Sequence, residues 1–382
     1  MSNQPDVVAN SGCLTGSFLQ QIQSNQNIIE LSFSSRRFVT KCFHNSSMRI
    51  AVITDAWQPQ VNGVTTTYEY ISRELESMGH QLLFITSDGF FSIPCPAYPA
   101  IRLAVYPIKN IINKIESFEP EAIHIVTEGT LGHAARNFCV KRMVPFTTSF
   151  HSQLPEYIRM RTPIPIHWTY KYLRWFHKKA TQTFVPTCNL KLKLAQYGFK
   201  NILVWSSGVD TDLFRPRDKS FLNLPRPLFM YMGMVAVEKN IEEFLRLDLP
   251  GSKAVVGDGP DMEMLKYKYP RILFTGYKYG DELVSHLAAA DVFVFPCQRE
   301  TFSSVLLEAM ACGVPVAAFP VTGPIDIVKN GVTGILNDNL YRSAMDALTL
   351  NPQDCIDYAR THTWKRSAEE FLGHLAPFER LQ

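Results

Sequence analysis

Short apolar runs that alternate with helical stretches begin at Met48 and continue for most of the chain. The first, RIAVITDA at residues 49–56, precedes a loop and a helical stretch at 64–78 that stops at Gly79. Strands that are apolar throughout, rather than at alternate positions, are buried on both faces of a sheet. Because helices separate these strands, the pattern predicts an α/β fold with doubly wound parallel sheets.

The strands fall into two series on either side of a segment rich in proline and charge. The first series is 49–56, 81–87, 122–128, 145–150, 181–187 and 201–205, and the second is 228–234, 252–258, 271–276, 290–296 and 313–319. Two such Rossmann-like domains would face each other across a ligand cleft at the carboxyl ends of their strands. The predicted divisions are a leader at 1–47, an N-terminal domain at 48–209, a linker at 210–227, a C-terminal domain at 228–360 and a last helix in 361–382.

Composition excludes several classes of protein. A net charge of +3 is too small to indicate a nucleic-acid partner. The eight cysteines are scattered without a Cys-x-x-Cys pair, which predicts reduced thiols and a cytoplasmic protein. No apolar run reaches the length of about 18 residues that spans a membrane. Residues 1–47 lack a signal-peptide core, and we interpret them as a disordered leader or a mis-assigned start, with a transit-like segment as the alternative.

Two glutamates eight positions apart, Glu300 and Glu308, follow the strand that ends at Pro296. We expect a helix to begin near Phe302, which would place Glu308 about five residues inside it. At 1.5 Å per residue, that position lies about 8 Å along the helix axis. The two carboxylates would therefore stand on either side of the helix start.

The first turn of this helix, at Ser303 and Ser304, has backbone amides without partners inside the helix, and such an end binds phosphate. A carboxylate beside a diphosphate is unfavourable, so each glutamate would instead accept hydrogen bonds from hydroxyl groups. A nucleotide-sugar carries hexose hydroxyls at one end and ribose hydroxyls at the other. On spacing alone, Glu300 can equally be a first-turn acid favoured by the helix dipole, with Glu308 a surface residue.

The segment ETFSSVLLEAMACGVPVAAFPVTGPIDIVKNGVTGIL at 300–336 resembles the donor-binding segment of glycosyltransferase family 4, the retaining GT-B enzymes with an E-x7-E motif. The resemblance covers almost all of the chain from Met48 to about Leu340, and within the family it is greatest to α-mannosyltransferases and glycolipid synthases. Further matching segments are DAWQPQVNGVTTT (55–67), GVDTDLFRP (208–216), VAVEKNIEEFL (235–245) and VVGDGP (255–260).

The resemblance implies a role for each matched residue. Glu300 would hold the donor-sugar hydroxyls, Glu308 the ribose diol, and Lys239 would offset the charge of the donor diphosphate. The other donor-contacting residues of this segment would be Phe302, Ser303 and Ser304. The implied reaction transfers a hexose to a lipid or glycan hydroxyl with retention of anomeric configuration and without metal or cofactor. GDP-mannose is the favoured donor and a UDP-hexose the next.

Two positions in the N-terminal half complete the predicted site. Asn62 and Gly63 lie between the first strand and the first helix, where glycine would let backbone amides approach a phosphate. His151 follows the strand at 145–150 and resembles the family histidine beside the sugar. The alternatives are an ordinary Asn-Gly turn and a structural histidine.

Three residues depart from the family pattern. Met234 and Ser207 stand where an arginine is common, and Ser303 stands where glycine is common. Loss of a cation beside the diphosphate would weaken transition-state stabilisation. The alternatives to a transferase are therefore a non-catalytic nucleotide-sugar-binding protein or scaffold and, third, an epimerase of the same fold.

Two further segments have competing interpretations. The Asp-Thr-Asp sequence at 210–212 invites a metal site, but it falls in the predicted linker, and we favour no metal. The segment 164–182 interleaves aromatic residues with lysine and arginine, which is typical of a helix at an anionic membrane surface. It is equally consistent with a core of aromatic side chains below a solvated basic face. A peripheral membrane contact through 164–180 is thus one prediction.

Overall fold

The computed structural model describes residues 47–58, 63–95, 98–151, 154–298 and 302–379. From Ser47 onward the chain forms one compact unit. The predicted leader at 1–47 lies outside the described residues apart from Ser47, and the domain boundaries drawn from the sequence stay a prediction.

A six-stranded parallel sheet in the order β2-β1-β5-β6-β7-β8 organises the N-terminal half, which we call the N-terminal lobe. Its strands are β1 (Arg49–Ile53), β2 (Gln81–Ile85), β5 (Ala122–Ile125), β6 (Thr147–Ser149), β7 (Gln182–Val185) and β8 (Ile202–Val204). Its helices are α1 (Gly63–Ser77), α2 (Ile108–Phe118), α3 (Thr130–Arg142), α4 (Leu154–Arg161), α5 (Ile166–His177) and α6 (Cys188–Gln196). A separate antiparallel hairpin consists of β3 (Ser92–Cys95) and β4 (Tyr98–Ala104).

A second six-stranded parallel sheet, in the order β11-β10-β9-β12-β13-β14, organises the C-terminal lobe. Its strands are β9 (Leu228–Met232), β10 (Ser252–Val256), β11 (Leu273–Phe274), β12 (Val292–Phe295), β13 (Val316–Ala318) and β14 (Gly334–Leu336). The helices are α7 (Ile241–Leu245), α8 (Met262–Lys268), α9 (Gly280–Ala288), α10 (Ser304–Ala311), α11 (Pro324–Ile327), α12 (Leu340–Ala347), α13 (Pro352–Ala359) and α14 (Trp364–His374).

The strands are apolar throughout because both faces of each sheet are buried, as the sequence suggested. In β9, Met230 packs into one hydrophobic cluster and its neighbour Tyr231 into another. Side chains alternate between the faces of a strand, so both faces of this sheet are covered. The predicted doubly wound α/β architecture is confirmed, with two parallel sheets flanked by helices.

Three strands were not predicted. The hairpin β3–β4 contains prolines that hide its strand character, and β14 has only three residues, Gly334–Leu336. Most predicted strands are also shorter than their apolar runs, because the last residues of each run turn into the loops at the carboxyl edge. These loops carry the candidate site.

The final helix α14 returns to the N-terminal lobe. The Trp364 ring stacks on Tyr70 of α1 with ring centroids 4.9 Å apart. The Trp205 indole donates a hydrogen bond to the carbonyl of Ser367 at 2.9 Å. Helix α14 therefore closes the N-terminal core although it follows the C-terminal sheet in sequence. Within the described part of the chain, no helix is both long and apolar enough to cross a membrane.

Candidate functional site

Each sheet has one point where the strand order reverses, and ligands of open α/β sheets bind at such points, outside the carboxyl ends of the strands. In the N-terminal lobe this switch point lies between β1 and β5, and in the C-terminal lobe between β9 and β12. Lys239 follows β9, and the segment that leads to Glu300 follows β12. Two predicted donor residues thus leave the two strands that border one switch point.

Direct contacts join these two C-terminal segments. Lys239 ends a 3-10 turn, Val237–Lys239, and the next residue, Asn240, donates a side-chain hydrogen bond to the Pro296 carbonyl at 3.1 Å. The Cys297 thiol lies 3.7 Å from the Glu238 carbonyl oxygen. The lysine turn is therefore held beside the end of β12. Glu300 itself lies outside the described residues.

Helix α10 begins at Ser304 with Ser303 as its N-cap residue, two positions later than the expected start near Phe302. Phe302 is partly buried and packs against the main core of the lobe, which holds it outside the helix. The Ser304 hydroxyl hydrogen-bonds to the Glu308 carboxylate one turn along. Ser304 thus supports a predicted ligand-binding carboxylate, in addition to the phosphate-binding position that the sequence suggested for it.

Glu308 keeps a partly exposed side chain, yet its carboxyl group is surrounded by protein. Burial raises the pKa of Glu308 to about 7, and the Ser304 hydrogen bond opposes that rise. Across the cleft, burial raises the pKa of Tyr70, and the charges of Asp210 and Glu308 raise it further. Helix α1 of the N-terminal lobe therefore approaches the predicted ribose-binding residue of the other lobe.

Glycines let backbones approach closely at this edge of the C-terminal sheet. A Cβ atom on Gly257 would lie 1.9 Å from the Gly233 carbonyl oxygen, and one on Gly259 would lie 2.3 Å from that of Val235. Gly257 also has a φ of 136°, which side chains rarely tolerate. The Val235 amide donates to the Asp258 carbonyl at 2.9 Å across the same gap. The loops after β9 and β10 are thus locked together by backbone contacts.

Two of the departures from the family pattern have clear surroundings. The Met234 carbonyl accepts a hydrogen bond from the Tyr231 hydroxyl at 2.8 Å, so the backbone is fixed although its side chain carries no charge. The Ser207 hydroxyl oxygen lies 3.2 Å from the hydroxyl oxygen of Thr67 in α1. Neither position supplies the second cation that the family usually has there.

Gly63 is the first residue of α1, and its carbonyl accepts a hydrogen bond from the Thr67 hydroxyl at 2.7 Å. A Cβ atom on Gly63 would meet no atom within 4 Å. Packing within the described residues therefore does not require glycine at this position. Close approach of a ligand, which the sequence suggested, stays a prediction. Asn62 lies outside the described residues.

A buried polar network surrounds His151 at the carboxyl end of β6. The Tyr68 hydroxyl lies 2.7 Å from His124 Nε2, 2.8 Å from the Ser149 hydroxyl and 3.2 Å from His151 Nε2. His124 Nδ1 lies 2.8 Å from the Thr147 hydroxyl. Burial lowers the pKa of His151 to about 4, so its imidazole is neutral at physiological pH. The network fixes that ring without charging it.

Asp55, at the end of β1, completes the N-terminal switch point. Its carboxylate accepts hydrogen bonds from the Leu131 amide at 3.0 Å and from the Thr127 hydroxyl at 2.8 Å. Gly129 is required beside it, because a Cβ atom there would lie 2.4 Å from the carboxyl carbon. Asp55 therefore caps the start of α3, and the burial that accompanies this role raises its pKa.

The Asp-Thr-Asp segment has a local structural role. Asp210 Oδ1 accepts hydrogen bonds from the amides of Asp212 and Leu213, at 3.1 and 3.0 Å. Among the described residues, no group of three or more histidine, cysteine, aspartate or glutamate side chains is arranged to hold a metal ion.

A further contact joins the two lobes through α6 and α11. Asp326 of α11 accepts hydrogen bonds from the backbone and side-chain nitrogens of Asn189 in α6, at 3.1 and 2.9 Å. The amide of Asn189 belongs to the first turn of α6, where a carboxylate is favoured. This contact therefore joins α6 of the N-terminal lobe to α11 of the C-terminal lobe.

Helix α5 divides the aromatic residues of the basic segment between core and surface. Tyr170 and Phe176 are buried, whereas Trp168, Tyr172 and Trp175 are 66%, 39% and 50% exposed. One aromatic face of α5 thus packs inward, as the core interpretation expected, and the other faces solvent; the membrane contact stays a prediction.

Sequence reasoning missed Tyr68, His124, Asp55, Glu128 and His177. A histidine within the apolar run AIHIV was the available signal for a buried polar network. An acid two or three residues after the end of a strand was the signal for Asp55 and Glu128. The helical residues gave no such signal, because their partners come from distant strands.

Two family models match the two halves of the chain. A family model described as Glycosyltransferase Family 4 matches residues 61–213, and a model described as Glycosyl transferases group 1 matches residues 226–349. The chain is 31% identical to a GDP-mannose-dependent alpha-mannosyltransferase from Mycolicibacterium smegmatis, over 76% of this chain and 84% of that protein. It is also 31% identical to a sulfoquinovosyl transferase from Arabidopsis thaliana, over 83% of this chain and 66% of that protein.

Solved structures share the fold at low sequence identity. Sucrose-phosphate synthase from Thermosynechococcus elongatus aligns with a TM-score of 0.68 and 18% identity, over 85% of this chain and 98% of that one. HepE from Anabaena, in complex with UDP and glucose, aligns with a TM-score of 0.64 and 14% identity over the same shares. Two facing parallel sheets, the two family models and the mycobacterial relative lead to one conclusion: the chain belongs to glycosyltransferase family 4, with the GT-B fold and a glycosyl-transfer activity.

Proposed function

We propose that this protein transfers a hexose from a nucleotide-sugar to a lipid or glycan hydroxyl with retention of anomeric configuration, and that mannose from GDP-mannose is its donor sugar. The observation that carries the proposal is the C-terminal switch point. There the Lys239 turn is hydrogen-bonded through Asn240 to the carbonyl of Pro296, the first residue after β12. A lysine on this turn suits the donor diphosphate, and we propose that the carboxylate of Glu300 binds the sugar.

In this arrangement Lys239 stabilises the charge that develops on the departing diphosphate, and Glu300 orients the hexose. Glu308 accepts hydrogen bonds from the ribose diol, while Asn62 and Gly63 approach the phosphates from the other lobe. Phe302, Ser303 and Ser304 shape the entry of the donor. His151 lies beside the sugar as a neutral ring, and it is placed to donate or accept a hydrogen bond without adding charge.

The names of relatives support the choice of donor and acceptor. GDP-mannose-dependent alpha-mannosyltransferases from two further organisms, Mycobacterium tuberculosis and Corynebacterium glutamicum, are 27% and 26% identical to this chain. An alpha-monoglucosyldiacylglycerol synthase from Streptococcus pneumoniae is 24% identical. The first two favour GDP-mannose, and the third favours a lipid acceptor.

The test is transfer from GDP-mannose and from a panel of UDP-hexoses to membrane extracts, with the anomeric configuration of the product read by NMR. We expect an α-linked product from one donor and loss of transfer in Glu300→Ala. A β-linked product would contradict retention, and a product from the donor alone would indicate the epimerase alternative.

A non-catalytic nucleotide-sugar-binding protein is the second candidate, and Met234 favours it because no second cation stands beside Lys239 at that position. Donor binding without transfer, followed by a gain of transfer in Met234→Arg, would establish this alternative. Equal turnover in the wild type and in Met234→Arg would exclude it.

A peripheral contact with an anionic membrane is part of the proposal. Lys171, Arg174, Lys178 and Lys179 are exposed on and just after α5, beside the exposed Trp168 and Trp175 rings. Basic residues around exposed aromatic rings suit the surface of an anionic bilayer. Reversing two charges, Lys171→Glu and Lys178→Glu, should reduce sedimentation with phosphatidylglycerol vesicles, whereas Lys266→Glu on α8 should not.

A further inference from the structure

A carboxylate that the proposed donor chemistry does not use lies at the N-terminal switch point. Ile125 of β5 pairs with Thr148 of β6, and Glu128 and His151 each lie three residues beyond that pair. The two side chains therefore leave neighbouring parallel strands at the same edge of the sheet. Glu128 thus borders the part of the cleft where His151 is proposed to meet the transferred sugar.

A buried histidine fixes one oxygen of this carboxylate. His177 is fully buried, and its Nε2 lies 3.1 Å from Glu128 Oε1. The other ring nitrogen of His177 lies 2.9 Å from the Thr148 hydroxyl, which is 3.0 Å from the Thr183 hydroxyl. With Thr148 donating to Nδ1, the Nε2–H group donates to Glu128. Residues from β6, β7 and α5 therefore set the direction of the Glu128 side chain.

The second oxygen of the same carboxylate, Oε2, has no hydrogen-bond donor among the described residues. Glu128 retains 14% of its side-chain surface exposed, and no described residue donates a hydrogen bond to its Oε2. A carboxylate oxygen that the protein orients but does not satisfy is suited to accept a hydrogen bond from a ligand hydroxyl. Among the described residues none places a cation at this oxygen, so an anionic group would be repelled.

The exposed aromatic face of α5 adjoins this carboxylate. The Tyr172 hydroxyl donates to the Glu128 backbone carbonyl at 3.3 Å and lies 2.5 Å from His133 Nε2. The Trp175 ring stacks near both Tyr172 and His133, at centroid distances of 6.2 and 5.8 Å, and the Arg136 guanidinium lies 4.1 Å from its centroid. A half-exposed, immobilised tryptophan therefore lies next to the oriented carboxylate.

We infer that Glu128, oriented by His177, binds a hydroxyl group of the acceptor, and that the acceptor carries an uncharged sugar or polyol headgroup. This inference rests on the proposed function and names the class of molecule that receives the hexose. The carboxylate accepts the hydroxyl hydrogen bond, and the Tyr172–Trp175 face packs against the apolar part of the acceptor. The same headgroup chemistry occurs in a membrane glycolipid and in a free glycan.

The experiment measures acceptor binding to the full-length protein in the presence of GDP or UDP, by calorimetry. The probes are phosphatidylglycerol vesicles with and without monoglucosyldiacylglycerol, soluble methyl glucoside, and phosphatidylinositol vesicles. We expect binding to a neutral glycoside to weaken at least about tenfold in Glu128→Ala and less in Glu128→Gln, with donor affinity unchanged. The control Glu116→Gln removes an exposed carboxylate that pairs with Arg142 on the same lobe, and it should have no effect.

Enhanced binding by the glycolipid vesicles alone assigns the headgroup to a lipid, and binding of methyl glucoside assigns it to a free glycan; both support the inference when they depend on Glu128. Preference for phosphatidylinositol, equal acceptor binding by wild type and Glu128→Ala, or no acceptor binding by the wild type would overturn it. These outcomes leave the proposed function intact as long as a nucleotide-sugar binds. Absence of nucleotide-sugar binding in the wild type would instead contradict the proposed function.

His177→Gln separates orientation from folding. If His177 acts only through Glu128, this variant should weaken acceptor binding by less than Glu128→Ala does, and combining the two changes should add nothing further. An additive loss of binding in the double variant would show that His177 acts independently of Glu128, which would contradict its role in orienting that carboxylate.

Discussion

The two switch points are built in opposite ways. In the N-terminal lobe, buried side chains bond to one another, with the Tyr68 hydroxyl within 3.2 Å of His124, Ser149 and His151. In the C-terminal lobe, backbone approaches backbone, and Gly257 and Gly259 leave no room for a side chain against the loop after β9. The N-terminal edge thus depends on hydrogen bonds between side chains, and the C-terminal edge depends on close backbone contacts that only glycine allows.

This difference matches the two partners of the proposed reaction. A diphosphate is recognised well by backbone amides and a cation, and glycine allows the backbone to come close to it. An acceptor must be distinguished from other hydroxyl compounds, which requires oriented polar side chains. We therefore expect added atoms to destabilise the protein at the C-terminal edge, and the removal of polar atoms to destabilise it at the N-terminal edge.

The largest effect should come from adding one methyl group at the C-terminal edge. In Gly257→Ala the new Cβ would lie 1.9 Å from a backbone oxygen at a φ of 136°, so β9 and β10 must separate at their ends. We expect a loss of about 3 kcal/mol or more in the free energy of unfolding. Denaturant titration measures it.

Gly373→Ala is the matched control for that change. Gly373 lies in α14, and a Cβ atom there meets no atom within 4 Å. Replacing a helical glycine by alanine should leave stability unchanged or raise it by up to about 1 kcal/mol. Equal stability of Gly257→Ala and wild type would show that the backbone contact at Gly257 does not exclude a side chain.

A smaller effect should follow from removing one oxygen at the N-terminal edge. Tyr68→Phe leaves the shape of a fully buried ring but deprives His124, Ser149 and His151 of a shared partner. His124 and Ser149 still bond to each other at 2.9 Å, so the expected loss is about 1–3 kcal/mol in the free energy of unfolding. The same substitution at Tyr267, which is 90% exposed, should be neutral.

A third effect concerns the dependence of stability on pH. Burial raises the pKa of Glu308 from 4.5 to about 7, so the folded state binds more protons than the unfolded state between those values. Stability contributed by the protonated form is present below pH 4.5 and is lost as the pH rises towards 7. Relative to wild type, Glu308→Gln should therefore gain stability over this window.

Thermal unfolding at a series of pH values would test this, with the exposed Glu263→Gln on α8 as the control. A constant difference between Glu308→Gln and wild type across the window would show that Glu308 is not the buried carboxyl group responsible.

The sequence predicted the fold well because its signals are local. Each buried strand is a continuous apolar run, and the predicted donor residue Lys239 follows a strand, β9, that can be recognised on its own. The pairing of Asn240 with Pro296 was not predictable in detail, but the placement of both after neighbouring strands followed from the fold.

The polar contacts at the N-terminal edge were less predictable because the residues that form them are distant in sequence. Glu128 meets His177 only after α5 packs across β6, a separation of 49 residues. Likewise, Tyr68 on α1 reaches His124 across 56 residues. A helix residue gives no sign of which strand it will contact, so polar networks of this kind appear only once the strand order is known.

The most direct test of the account is calorimetry of GDP-mannose and UDP-hexose binding to the full-length wild type, to Glu308→Ala and to Glu128→Ala. The account predicts that one nucleotide-sugar binds the wild type, that Glu308→Ala weakens this binding at least about tenfold, and that Glu128→Ala leaves it unchanged. Equal weakening by both substitutions, or donor binding that does not depend on Glu308, would contradict the assignment of the donor to the C-terminal edge and of the acceptor to the N-terminal edge.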